Sequence, residues 1–127
     1  MNNVEAIATI NEAIDALPKL RRCQAFSSEH TEFLQTTNLE LRRIFGPDSG
    51  IVMSFYQISY HLEETFITDI VDAEKDHEIH KHKAYLEGLD KAEGILRPAL
   101  QQLKKYAMEQ LRAESKKKIT EIGRAHV

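Results

Sequence analysis

The sequence predicts an all-α fold: two shorter antiparallel helices, a short extended segment, and one long kinked C-terminal helix. Three observations lead there. Apolar residues recur at spacings of three and four through residues 4–17 and 33–45, which lines one face of a helix. Gly46-Pro47 follows the second of these runs as a stop and a turn. From about Glu78 to about Thr120 an apolar pattern repeats every seven residues. The chain has 127 residues, 42% of them hydrophobic and 29% charged. That composition suits one small domain with a core of its own and is too apolar for a disordered segment.

The first helix is read over residues 4–17, with Val4, Ile7, Ile10, Ile14 and Leu17 on one face. Asn2 or Asn3 is placed to cap its start. Pro18 lacks an amide donor, so it ends the helix or kinks it into a continuation over Leu20 to Phe26. The second helix opens at Ser27 or Ser28 and carries Phe33, Leu34, Thr37, Leu41, Ile44 and Phe45 at helical spacing. Arg42 and Arg43 fall in its last turn, where the helix dipole favours cations. Pro47 to Gly50 form a turn.

Residues 51–60 fit two patterns. Their β-branched and aromatic content suits an extended segment. Ile51, Phe55, Ile58 and Leu62 also share one helical face. The extended, half-buried reading is preferred, and both put Phe55 and Ile58 in the core. Residues 62–76 read as a connector anchored by Phe66, Ile67, Ile70 and Val71, although its acids can also begin a helix.

In the last element Leu89, Leu96 and Leu103 repeat every seven residues, with Ala92, Ala99 and Tyr106 between them. Leu86, Leu100, Ala107 and Leu111 widen the stripe. The phase survives Pro98, which predicts a kink rather than two helices. At ~1.5 Å per residue such a helix is about 60 Å long, more than two shorter helices can cover. An interaction face is therefore expected at Leu89, Leu96, Leu103, Tyr106 and Leu111.

Charge is uneven along the chain. The totals are 17 basic and 20 acidic residues, a net of −3. Residues 60–96 carry 4 basic and 10 acidic groups, and residues 97–127 carry 8 and 3. Lys104, Lys105, Arg112 and Lys116 to Lys118 are the cations a nucleic-acid binder would use. They sit near a helix C-terminus, where solvated cations are favoured anyway, so nucleic acid is the less favoured partner.

Candidate chemistry is sparse. Asp72, Glu74, Asp76, His77, Glu78, His80 and His82 fall within eleven residues. His77 and His80 are three apart and share a helical face, as a metal pair requires. The His-Glu-x-x-His spacing fails by one residue, and nothing marks a further ligand, so a solvated polar connector is preferred. Cys23 follows Arg21 and Arg22, cationic neighbours of the kind that activate a thiol. No partner base is specified, and a lone cysteine beside an amphipathic helix more often fills a core gap. Glu63 and Glu64 lack an apolar pocket, and the isolated glycines form no phosphate loop. Phe33, Phe45, Phe55, Tyr56, Tyr60 and Tyr85 lie on apolar faces and read as core. No catalytic, cofactor-binding or metal-binding residue is assigned, and no cofactor is expected. No apolar run approaches the ~20 residues of a membrane span and no secretory signal is present. A cytoplasmic protein without a membrane partner is expected.

The order Ile44-Phe45-Gly46-x-Asp48-Ser49, then Phe55, Ile58 and Tyr60, then Tyr85-Leu86-x-Gly88-Leu89-x-x-Ala92-x-x-Ile95-Leu96 resembles the N-terminal helical regions of certain bacterial effector proteins. In those proteins a TIR-like or other nucleotide-binding domain follows, often in antiphage defence. The likeness covers about residues 28–105, with Phe33 standing where the family carries tryptophan. It implies a non-catalytic accessory module for self-association or sensing. The final seven residues, Glu121 to Val127, can be written GAG ATC GGA AGA GCA CAC GTC, which resembles a sequencing adapter whose next triplet is a stop. The expectation is a single helical domain over 1–120, the N-terminal part of a longer protein, with 121–127 a non-native tail. The expected partner is then a second copy or a downstream domain of the same chain. The rival readings are a stand-alone helical metal-binding protein centred on His77 and His80, and a weak nucleic-acid binder using the basic helix end.

Overall fold

A computed structural model describes the backbone of residues 2–61 and 73–125, and the side chains of residues 2–61 and 77–117. Within them the chain forms four helices: α1 (Asn3–Leu20), α2 (Ser28–Phe45), α3 (Gly50–Tyr56) and α4 (Ala73–Ala125). The described residues form no strand. The anchoring expected of Phe66, Ile67, Ile70 and Val71 lies outside the described residues, as do the paired acids Glu63 and Glu64.

The side chain of Asn2 caps α1, accepting the Glu5 N–H at 2.8 Å. Glu5 in the first turn and Lys19 in the last both complement the helix dipole. Pro18 does not end this helix, which continues to Leu20. Only one intrahelical bond is lost to the proline, close to a terminus where bonds run out anyway. The segment beyond is a turn and not a continued helix, closed by the Cys23 N–H to the Leu20 carbonyl at 3.0 Å. The buried face is Ala6, Ile10, Ile14, Leu17 and Leu20. Val4, expected on that face, is 77% exposed.

The Ser27 side chain caps α2 by accepting the His30 N–H at 3.3 Å. Gly46 ends it at φ 90°, with its N–H on the Arg42 carbonyl. That left-handed backbone suits glycine and little else. The buried face of α2 is His30, Phe33, Thr37 and Leu41.

Residues 50–56 are helical, which overturns the extended reading of that segment. The Ser49 side chain accepts the Val52 N–H and so opens a helix. Helical geometry also sorts the apolar side chains better. It buries Val52 and Phe55 together and leaves Met53 and Tyr56 outside, whereas a strand would turn Met53 inward with Phe55. Phe55 is buried as expected, and Ile58 is half-buried beyond the helix end.

α4 is one helical element that continues through Pro98. It runs antiparallel to α1. Tyr85 Oη donates to the Leu20 carbonyl at one end, and the Asn3 side chain donates to Gln110 at the other. Arg21 pairs with Asp90 at 2.8 Å near the Leu20 end. Tyr85, Leu89, Ala92, Leu96, Ala99 and Leu103 form the buried seam of α4, alternating spacings of four and three. This corrects the expected interaction face. Leu89 and Leu96 are 0% exposed and Leu103 is 9% exposed within a single chain. The reason is length. α1 has 18 residues and is about 27 Å long; the seam buried beside it runs from Tyr85 to Leu103, and the first residue of α1, Asn3, reaches Gln110. Beyond that stretch Tyr106, Met108 and Leu111 are 53%, 53% and 60% exposed.

Candidate functional site

Three features bear on function: a histidine–tyrosine cluster within the core, the C-terminal part of α4, and an acidic groove between α1 and α2.

The cluster sits where the α1–α2 turn meets the start of the described part of α4. His30, fully buried, lies 4.5 Å from the Tyr60 ring and 4.9 Å from the Tyr85 ring, centroid to centroid. His30 Nδ1 accepts the Phe26 N–H at 3.0 Å. A nitrogen that accepts carries no proton, so the neutral ring is protonated at Nε2, which has no hydrogen-bond partner. Burial lowers the His30 pKa from 6.5. The same bond holds Phe26 at φ 60°, an uncommon backbone for a phenylalanine. His61 stacks on Phe26 at 4.6 Å. Burial, reinforced by the neighbouring Tyr85, raises the Tyr60 phenol above its ordinary range. Burial likewise pushes Tyr85 up to about 12. Tyr85 Oη donates to the Leu20 carbonyl, which also accepts the Cys23 N–H. Gly88 completes the arrangement. A Cβ built there would come to 2.7 Å of Tyr60 Cε1 and 3.0 Å of Cγ. The spacing Tyr85-x-x-Gly88 is thus a packing device: one residue ties α4 to the end of α1, and the other admits the Tyr60 ring. Neutral phenols and a neutral imidazole held in an aromatic box stabilise the fold.

Tyr60 and Asn38 also line a cavity of about 270 Å³ between α2 and α3. Their polar atoms Oη and Oδ1 lack partners, yet both are closed to solvent. Neither therefore offers a hydrogen bond to an occupant of that cavity.

The sequence-derived ligand candidates are not brought together. His77 is half-buried and His80 exposed on α4. Among the described residues no group of three or more His, Cys, Asp or Glu side chains is placed to hold a metal ion. The side chains of Asp72, Glu74 and Asp76 lie outside the described residues. Cys23 is half-buried with its Sγ near the Lys19 carbonyl. The Arg21 guanidinium, expected to act on that thiol, is instead directed to Asp90 and Glu93.

The C-terminal part of α4 is largely open to solvent. From Lys104 to Lys117 every side chain except Ala107 is exposed. This segment presents Tyr106, Met108 and Leu111 among Lys104, Lys105, Arg112 and Lys117. Of the five residues expected to form an interaction face, Tyr106 and Leu111 are open to a partner and the three leucines at 89, 96 and 103 are not.

On α1 and α2 lies a groove of about 380 Å³. Ala13, Ala16 and Phe33 are among its apolar lining residues, and Glu12, Glu29, Glu32 and Glu40 are its acids, against one cation, Lys19. The sequence reading missed this groove, because its acids are scattered over two helices and converge only when the helices pair. Among the described residues no helix is long and apolar enough to cross a membrane. Comparison of the chain with protein families, with curated proteins and with solved structures returned no match.

Proposed function

We propose that this chain is a non-catalytic helical module that self-associates through the projecting end of α4. The observation that carries this reading is the exposure of Tyr106, Met108 and Leu111 on the C-terminal part of α4, where α1 reaches only as far as the Asn3 contact with Gln110. Burying these part-exposed side chains in a contact favours association, and an already formed helix loses little further backbone freedom on docking. The resemblance to N-terminal regions of bacterial effectors supports the same role, an accessory element that brings copies of a larger protein together. Sedimentation of the chain across micromolar concentrations tests it. The wild type is expected to associate, and Leu111→Asp to sediment as a monomer with an unchanged helical spectrum. A wild type that stays monomeric throughout that range overturns the proposal.

A second reading, nucleic-acid binding, is favoured by one observation: Lys104, Lys105, Arg112 and Lys117 are all exposed on this segment. Binding to DNA that weakens steeply with salt is its signature.

A further inference from the structure

We infer that the projecting end of α4 in one copy lies in the acidic α1/α2 groove of a second copy. This rests on the self-association reading and names the surface that receives the helix. Residues 104–117 carry five basic and two acidic groups. Pairing two such ends directly would set like charge against like charge along the contact, which is unfavourable in a desolvated interface. The groove has the opposite character, four glutamates against Lys19. Glu40 has a distant exposed partner in Arg43 at 3.7 Å, whereas among the described residues Glu12 and Glu32 make no ion pair with a neighbouring side chain.

Dimensions agree. The groove follows α1 from Thr9 to Leu20 and α2 from Glu29 to Glu40, about 17 Å of helix, and residues 104–117 span about 20 Å. A chain cannot fill its own groove with this segment. The groove is lined by α1 and α2 alone, and residues 104–117 continue α4 from the Asn3 end of α1, opposite to the end where Tyr85 meets Leu20. A second copy related by a two-fold axis has the reverse arrangement. Each end then enters the other's groove, and the assembly closes as a dimer with two identical contacts. Met108 and Leu111 supply apolar contact to the Ala13, Ala16 and Phe33 lining, while Lys105 and Arg112 face the glutamate rim.

Charge reversal on each side, read by sedimentation of the full chain, decides the matter. Glu12→Lys with Glu32→Lys reverses the groove, and Lys105→Glu with Arg112→Glu reverses the end. All four are exposed positions, and a circular dichroism melt checks that each variant folds. Each reversed protein alone is expected to dimerise about tenfold more weakly than wild type. Mixing the two restores a heterodimer, and about 0.5 M salt weakens the wild-type dimer. A wild-type dimer that Leu111→Asp dissociates but groove reversal leaves intact overturns the groove assignment and leaves self-association standing. A wild type that is monomeric throughout removes both.

Discussion

The two stretches of α4 on either side of Leu103 make an instructive pair. Both are helical and both carry an apolar stripe at heptad-like spacing. From Tyr85 to Leu103 that stripe is the centre of the core, while from Lys104 to Lys117 it faces solvent. Composition differs in part: five of the 19 residues from Tyr85 to Leu103 are charged, against seven of the 14 from Lys104 to Lys117. The reach of α1 adds to it: this helix is 18 residues long and its first residue, Asn3, already stands against Gln110. A repeating apolar face states that something will be covered. The length of the neighbouring element decides how far that cover reaches.

The sharpest way to break this comparison is to make the same truncation in both stretches. Leu96→Ala, at a fully buried seam position, is expected to cost about 3 kcal/mol in denaturant unfolding. Leu111→Ala is expected to change monomer stability by less than about 0.5 kcal/mol. Equal effects would mean that the two stretches are not differently covered.

Gly88→Ala comes next. On an open helix the exchange would stabilise by about 1 kcal/mol. Here the added methyl meets the Tyr60 ring, so a net loss of about 1–3 kcal/mol is expected. In Tyr60→Ala the same change should be neutral or stabilising, and a double-mutant cycle reads the reversal. A destabilising Gly88→Ala in both backgrounds would remove Tyr60 as the cause.

The smallest effect concerns pH. His30 is buried neutral with its pKa below 6.5. Above that value folded and unfolded chains both hold it neutral, and its contribution to stability is complete. As pH falls below 6.5 the unfolded chain takes up the proton first, so stability declines until the folded-state pKa is reached. His30→Phe should remove this part of the decline in unfolding titrations between neutral and mildly acid pH. An unchanged slope would place the dependence on other groups.

Much of the fold was legible in the sequence because it rests on local signals. Ser27, Gly46 and the α4 repeat act within a turn or two of their own positions. Two local signals were ambiguous. Residues 51–60 offered both β-branched content and helical spacing, and the Ser49 cap together with the burial of Val52 and Phe55 decided for helix. Pro18 marked a helix end correctly only to within two residues. The candidate site was less legible. Tyr106 and Leu111 were readable as part of a stripe, but not as its uncovered part. The acidic groove was invisible, since Glu12 and Glu32 become neighbours only through helix pairing.

The sequence alone determined that α1, α2 and the long C-terminal element are helical, that Gly46 stops α2, and which face of α4 is apolar, because spacing and capping act over a few residues. Tertiary structure alone decided that the buried seam of α4 ends at Leu103, that Tyr60 requires Gly88, and that scattered glutamates form one groove. Those outcomes depend on which distant residues meet, and a linear periodicity does not encode the length match or the register that brings them together.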